Sequence, residues 1–216
     1  ITTGGGGMLL FQDAELGAYA KHLTTQAKVP HRWEFMHDHI GYNYRMSNVC
    51  AGIGRGQMTV LDEHIAHHKH IQSLYRTMLK DVDGITLHEN PDGRYDSNFW
   101  LCTITLFPEL HVEGEEHVYE TAVQGAVGGA AGVVHQASSL HTSCEPNKNV
   151  EGLRIALDKA GIESRPLWKP MHLQPVYEMN PSYTNGVSES LFTQGLCLPS
   201  GPCVTDEDVA YIVAEI

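Results

Sequence analysis

The pattern of apolar and polar positions divides the chain into helical and extended stretches. Residues 13–27 carry apolar side chains at three- and four-residue steps and begin with Asp13, a residue type that caps helices. Residues 48–80 repeat this spacing, which predicts one long helix that begins at Ser47 or Asn48. A helix of this length suggests a connection between two lobes.

Beyond residue 80 the pattern alternates between short strands and helices, which is typical of a small α/β lobe. Thr205, followed by Asp208, predicts a capping box at the start of the last helix. Residues 109–149 are rich in acidic and then in small residues, and we interpret them as an insertion. The predicted strands are 85–88, 98–106, 162–164 and 197–199, and the other predicted helices are 149–160 and 188–195.

Composition narrows the class of protein. The 216 residues carry a net charge of −12, which disfavours nucleic-acid or anionic-membrane partners because phosphates repel such a surface. No stretch reaches the ~18 apolar residues of a membrane span. The five cysteines include no C-x-x-C pair, and we expect five reduced thiols in a cytoplasmic protein. A disulfide between Cys197 and Cys203 is the alternative.

A run of four glycines, residues 4–7, separates two short apolar stretches, 1–3 and 8–11. A run without side chains indicates a close approach of backbone or a turn with positive φ. A hairpin turn is favoured over a phosphate-binding loop, because the run lacks the G-x-x-x-x-G-K-[ST] pattern.

Residues 41–48 (GYNYRMSN), the signature segment, precede the predicted long helix. Asn43 and Arg45 are two residues apart, so on an extended segment they point to the same side and offer an amide and a guanidinium to a phosphate. Ser47 and Asn48 add donors at a helix N-terminus. A capped helix start with a surface arginine remains an equal alternative.

Residues 161–172 (GIESRPLWKPMH) contain a second candidate site, the 165–172 loop. Arg165 and Lys169 are cations, Trp168 offers a stacking face and His172 an imidazole, which suits a nucleotide-sugar. The alternative is a core tryptophan beside a surface ion pair.

Two histidines, His64 and His68, have the i, i+4 spacing of helical metal ligands. They lack the glutamate of an H-E-x-x-H motif, and Lys69 repels cations. We therefore expect a solvated helix face and no metal site.

Four stretches in order along the chain resemble the DegT/StrS family of sugar aminotransferases, which use pyridoxal 5'-phosphate (PLP). Residues 1–8 resemble the strand after the catalytic lysine, and the signature segment matches the family's G-Y-N-Y-R-[ML]-[ST]-N. Residues 161–172 are similar to a loop in members that make UDP-linked diamino sugars, of the bacillosamine type. Residues 197–201 (CLPSG) resemble the turn before the last helix. The resemblance covers almost the whole chain apart from the insertion.

The resemblance implies an α/β protein of fold type I, of which this chain is the C-terminal half. Residues 1–47 would complete the large PLP-binding domain, 48–80 would be the connecting helix, and 81–216 the small C-terminal domain. The implied reaction moves an amino group from glutamate to a nucleotide-linked keto-sugar, with UDP as the expected nucleotide, in surface polysaccharide or glycan synthesis. A homodimer with shared active sites is also implied.

The resemblance also assigns roles to residues. Asn43 would contact the PLP phosphate; Arg45, with Tyr42, and the 165–172 loop would contact the substrate, through Arg165, Trp168, Lys169 and His172. The catalytic lysine would directly precede Ile1 and is not in this sequence. Either the chain is a fragment, or a covalently modified lysine interrupts the sequence there; we favour the second, because the break falls on that residue.

Two rival functions remain open at this point. Some members of the family carry histidine in place of the lysine and remove a hydroxyl group, so the residue before Ile1 would distinguish a dehydratase from an aminotransferase. A non-catalytic fragment that dimerises without PLP is the rival from another class. It would lack the visible absorbance of the bound cofactor.

Overall fold

The computed structural model describes residues 1–110 and 144–216 of the chain. The chain divides into two compact units, Ile1–His64 (the first unit) and Ile65–Ile216 (the second unit). The domain boundaries expected at residues 47 and 80 lie on either side of this division.

The first unit contains two helices and a two-stranded ladder. Helix α1 (Ala14–Thr24) begins, as predicted, after Asp13, whose side chain accepts hydrogen bonds from two backbone N–H groups of the first turn. Strands β1 (Lys28–Val29) and β2 (Met36–His37) pair antiparallel. Helix α2 (Asn48–Met58) follows, capped by the Ser47 side chain.

The helix predicted over residues 48–80 is two helices in the structure, α2 and α3 (Leu61–Met78). The Thr59 hydroxyl donates to the Gly56 carbonyl at 2.7 Å and closes the end of α2. Glycine in a helix interior costs about 1 kcal/mol relative to alanine, and α2 contains three glycines, so its last turn is weak. Because both helices have an apolar stripe, the sequence periodicity continues across the break and predicts a single helix.

The strands of the second unit are β3 (Ile85–Leu87), β4 (Cys102–Leu106), β5 (Arg165–Pro166) and β6 (Gly195–Leu198), and they form an antiparallel sheet in the order β3-β4-β6-β5. Its α-helices among the described residues are the larger part of α3, α4 (Lys148–Lys159), α5 (Val187–Gln194) and α6 (Asp206–Ala214). The expected mixture of helices and strands is confirmed.

The core of the second unit lies between this sheet and the helices. Strand β4 alternates buried and half-buried residues, and β6, which has a neighbour on each edge, is buried at every position. The predicted capping box is present at the start of α6, where Thr205 and Asp208 exchange hydrogen bonds. The core is formed by Ile71, Tyr75, Leu79, Cys102, Ile104, Leu106, Val150, Leu153, Leu157, Ile162, Leu196, Leu198, Val209 and Ile212.

Three predicted strands, 1–3, 8–11 and 162–164, are not found at their predicted positions. Residues 1–11 belong to no strand of the described residues, so the predicted hairpin was wrong: both Thr2 backbone groups bond to the Gln57 side chain, each at 2.6 Å, instead of to a second strand. The strand predicted at 162–164 is displaced to β5, because pairing with β6 begins only where Arg165 faces Cys197. Gly4 and Gly6 have positive φ, as the glycine run predicts.

Most of the predicted insertion, residues 109–149, lies outside the described residues. Its last two residues belong to α4 instead, which begins at Lys148, and Asn149 is buried there. Within the described residues, no helix has both the length and the hydropathy that crossing a bilayer requires.

Candidate functional site

The signature segment is anchored to the end of α1 through backbone hydrogen bonds. The Tyr42 N–H donates to the Leu23 carbonyl at 2.7 Å. Asn43 forms an isolated antiparallel bridge with Thr25. Residues 42 and 43 are therefore held against the end of α1, and the backbone bends at Arg45. A common side for Asn43 and Arg45 stays a prediction that rests on an extended segment.

A tight turn at Gln26 and Ala27, just before β1, determines how closely the signature segment packs. Gln26 and Ala27 both have positive φ, 69° and 49°, which is uncommon for residues other than glycine. Gly41 packs against this turn so closely that a Cβ there would lie 2.2 Å from the Gln26 carbonyl carbon. Only glycine fits at position 41, which explains the first residue of the signature segment.

An open cleft of about 980 Å³ lies beside the signature segment. The glycine run forms part of its wall, and at Gly6 (φ 115°) a Cβ would lie 2.5 Å from the Met46 side chain. The close approach predicted for the glycine run is therefore a contact with the signature segment. The polar and glycine lining includes Gly5, Gly6, Gly7, Asp13, Lys21, Asn43, Arg45 and Ser47.

The chemistry of this cleft suits an anion. Arg45 and Lys21 supply positive charge, and Ser47 marks the N-terminus of α2, where unpaired N–H groups attract negative charge. Asn43 and Arg45 are both exposed in this chain, so the alternative of a capped helix start with a surface arginine agrees with the structure as well as a phosphate site does. Tyr42 does not line the cleft; its ring lies 5.2 Å from that of Tyr44.

A cluster that the sequence did not predict lies elsewhere in the first unit. His22 Nε2 and His39 Nδ1 lie 2.6 Å and 3.0 Å from the same oxygen of Asp38. Hydrogen bonds from His39 and His22 lower the pKa of the Asp38 carboxyl to about 2. The three side chains have the chemistry of metal ligands, but these hydrogen bonds already account for their grouping. Because His22 is far from Asp38 and His39 in the sequence, the three residues form no recognisable motif.

The histidines that the sequence singled out remain apart from any such cluster. His64 is exposed and His68 is half-buried. Among residues 1–110 and 144–216, neither belongs to a group of three side chains that could hold a metal ion.

The structure divides the four candidate residues of the 165–172 loop into two pairs. Arg165 and Trp168 line an open groove of about 900 Å³ in the second unit. The Trp168 side chain is 66% exposed, which excludes a core position, while Arg165 pairs with Glu163 at the surface. Of the bland alternative, the core tryptophan is therefore wrong and the surface ion pair is present, while nucleotide-sugar binding by this loop stays a prediction.

Lys169 and His172 do not line that groove and contact α5 instead. The Lys169 ammonium lies 5.9 Å from the centre of the Phe192 ring, and His172 Nε2 lies 2.7 Å from Glu189 Oε1. Lys169 and His172 therefore contact α5 instead of the groove.

Sequence reasoning missed Trp100, whose ring lies 5.8 Å from that of Trp168 at an angle of 37°. The Ser200 hydroxyl donates to the Trp100 carbonyl at 2.9 Å, and both residues line the groove. Phe99, the preceding residue, has a φ of 48°, which is rare for an aromatic residue. The motif S-N-F-W before a β-rich run was the available signal. Exposed indoles of this kind offer stacking faces to a base or a sugar.

Comparisons with known proteins agree with the resemblance. A family described as DegT/DnrJ/EryC1/StrS aminotransferases matches residues 1–131 and 115–216. EpsN of Bacillus subtilis, named as a pyridoxal phosphate-dependent aminotransferase, is 34% identical over 99% of this chain and 46% of its own length. GDP-perosamine synthase of Escherichia coli O157:H7 is 29% identical over 100% of this chain and 48% of its own.

Solved structures share the fold. The aminotransferase TlmJ from Streptoalloteichus hindustanus superposes with a TM-score of 0.70 at 22% identity, over 99% of this chain and 47% of TlmJ. The chain thus spans about half the length of the proteins it matches. Because the family profile covers the described residues of both units, the chain belongs to the DegT/DnrJ/EryC1/StrS aminotransferase family and has its fold type I architecture.

Proposed function

We propose that the chain forms part of a PLP-dependent aminotransferase that moves an amino group from glutamate to a nucleotide-linked keto-sugar for surface polysaccharide or glycan synthesis. The observation that carries this proposal is the family match along both units, together with a cationic cleft at the signature segment. Residues 1–47 would belong to the large domain and 81–216 to the small one.

The cleft residues fit the phosphate of PLP. Arg45, Lys21 and the N-terminus of α2 favour an anion, and the glycine run leaves its backbone accessible. Asn43 would hold the phosphate through its side-chain amide, and Arg45 would bind the phosphates or sugar of the substrate. When bound, PLP would withdraw electrons from the carbon that bears the substrate's amino group.

The nucleotide-sugar would contact the 165–172 loop. The exposed faces of Trp168 and Trp100 suit a planar base or a sugar ring, and Arg165 lies on the same groove. UDP is our expectation for the nucleotide, whereas GDP-perosamine synthase is named for a GDP-linked sugar. Titration calorimetry with UDP and GDP would decide, since the preferred nucleotide should bind at least tenfold more tightly.

A homodimer is the partner arrangement that we propose. The first unit leaves large apolar side chains exposed, including Trp33 (72%), Phe35 (79%) and Ile40 (85%), and a second copy would cover such a surface. Sedimentation equilibrium should give twice the mass of the protomer, and a monomer at micromolar concentration would contradict this part. The five free thiols support a cytoplasmic location.

The function is tested first through the cofactor. The protein incubated with PLP should absorb in the near-ultraviolet and visible range, and borohydride should fix the cofactor to one peptide. Sequencing that peptide by mass spectrometry should find a lysine directly before Ile1. Binding of PLP without fixation by borohydride would indicate the dehydratase, because histidine forms no reducible imine with PLP. A protein that takes up no PLP would indicate the non-catalytic alternative.

The substrate role of Arg45 is tested by Arg45→Ala. Loss of a charge-assisted contact of about 1.5–3 kcal/mol should raise the KM for the nucleotide-sugar roughly 10- to 150-fold. Arg55→Ala is the matched control, because Arg55 is an exposed arginine on α2 outside the cleft. Equal kinetics for Arg45→Ala and wild type would remove Arg45 from the proposed site.

A further inference from the structure

The contact between His172 and Glu189 joins the 165–172 loop to the first turn of α5. The two side chains are only 21% and 27% exposed, and His172 Nε2 lies 2.7 Å from Glu189 Oε1. Neither composition nor the resemblance assigns a role to Glu189. We propose that Glu189 is a positioning residue that fixes the ring orientation and the tautomer of His172, an inference that rests on the proposed substrate role of the loop.

The ionisation of Glu189 decides which way this hydrogen bond runs. The pKa of its carboxyl lies below the ordinary value, first because of the attraction of its own backbone N–H, and then because of His172, against the opposing effect of desolvation. An ionised carboxylate can only accept hydrogen bonds. His172 Nε2 therefore carries the proton in this contact, and in the neutral ring Nδ1 is left as an acceptor for a substrate hydroxyl or ammonium.

Both partners of the contact are held by their own surroundings. On the loop side, the Leu173 N–H donates to the Pro170 carbonyl at 3.0 Å, and Pro170 is buried. On the helix side, the Thr193 hydroxyl donates to the Glu189 carbonyl at 2.8 Å. A short hydrogen bond between two restrained segments restricts the imidazole more than one between mobile side chains would.

Two further observations separate this contact from an ordinary surface ion pair. The second carboxylate oxygen, Glu189 Oε2, is buried and has no hydrogen-bond partner among the described residues. A buried acceptor without a protein donor is rare in folded proteins and distinguishes this carboxylate from a fully solvated one. Phe192, one helical turn beyond Glu189, lies under the Lys169 ammonium. Lys169 and His172, the two loop residues that do not line the groove, therefore contact the same face of α5.

The test compares four variants of the full-length holoenzyme. Glu189→Met removes the acceptor at similar length, Glu189→Asp withdraws the carboxylate by one methylene, and Glu189→Gln keeps an acceptor oxygen without the charge. Glu178→Met is the matched control, because Glu178 is an exposed glutamate just after the loop. The readouts are kcat and KM for the nucleotide-sugar, and the tautomer of His172 from imidazole ¹⁵N shifts, assigned by comparison with His172→Gln.

Wild type should show His172 protonated at Nε2 in its neutral form. Glu189→Met and Glu189→Asp should give a mixture of tautomers and a KM raised about tenfold or more, the size expected for a hydrogen bond to a charged group. Glu189→Gln should restore the tautomer and most of the KM, and Glu178→Met should match wild type. If Glu189→Met fails to fold, Glu189→Asp carries the same comparison.

Other results would overturn the inference. Wild type protonated at Nδ1 would do so, as would Glu189→Asp with an unchanged tautomer and KM but a lower melting temperature, because Glu189 would then be structural only. Failure of the proposed function is a separate result. It would appear as a wild-type protein without aminotransfer to any keto-sugar, and the tautomer measurements, which need neither cofactor nor substrate, would still decide the role of Glu189.

Discussion

Both units of the chain contain amphipathic helices, but the two units differ in whether the apolar side chains of these helices are buried. In the second unit, α3, α4 and α6 bury their apolar stripes against the sheet. In the first unit, neither α1 nor α2 has a buried residue, and Ala27 is its one buried apolar residue among those described. An apolar stripe thus predicts a helix but not what covers it, and the exposed stripes of the first unit are the surface that we propose a second copy covers.

The largest expected effect compares one isoleucine from each unit. Ile104→Ala, in the middle of β4, removes a fully buried side chain and should lower the free energy of unfolding by about 2–5 kcal/mol. Ile53→Ala, in α2, removes a side chain that is 45% exposed and should change it by only about 0.5 kcal/mol. Urea denaturation followed by circular dichroism measures both. Equal losses would mean that Ile53 is covered in solution, which would support the dimer.

A pair of tyrosines sharpens the same contrast at smaller magnitude. The buried Tyr75 hydroxyl donates to the Pro199 carbonyl at 2.8 Å, so Tyr75→Phe leaves that carbonyl without a donor and should cost about 1–3 kcal/mol. Tyr44→Phe, at a tyrosine that is 73% exposed in the first unit, should leave the urea midpoint unchanged. A shift for Tyr44→Phe that matched the Tyr75→Phe shift would contradict the contrast.

The smallest expected effect concerns the polar cluster of the first unit. The pKa of Asp38 is depressed from 3.8 to about 2, so its hydrogen bonds to His22 and His39 should be fully present above pH 3.8 and lost as the pH falls through about 2. At pH 3.5 its carboxyl ¹³C shift should still be that of the ionised form. In the double variant His22→Gln/His39→Gln, half-protonation should return toward pH 3.8, and an unchanged shift would show that the histidines are not the cause.

The sequence predicted the elements better than it predicted their surroundings. The caps at Asp13 and Thr205 are local hydrogen bonds between near neighbours, so the sequence alone could place them. The end of α2 at Thr59 depends on a side-chain bond that periodicity does not contain. The hairpin prediction at residues 1–11 failed because strand pairing is a long-range property, and Gln57 took the backbone groups of Thr2.

The candidate site shows the same division. The signature segment and the 165–172 loop were found from sequence because their residue types are unusual and contiguous. Trp100 and Glu189 were missed because each is a candidate only through a contact with a residue that is distant in sequence. Trp100 lies beside Trp168, and Glu189 bonds to His172. Such pairs depend on the fold of the sheet and of α5, which spacing does not reveal.

The hydrogen bonds of the turn after β6 have a consequence for altering ligand preference. The Ser200 hydroxyl bonds to the Trp100 carbonyl and the Tyr75 hydroxyl of α3 bonds to the Pro199 carbonyl, while the two indole rings line the groove with more than half of their surface exposed. If the groove binds the nucleotide-sugar as proposed, recognition would use the indole rings, whereas the framework uses the neighbouring backbone carbonyls. A combinatorial library that randomises Trp100 and Trp168 and spares Ser200 and Tyr75 should yield many folded proteins with changed specificity.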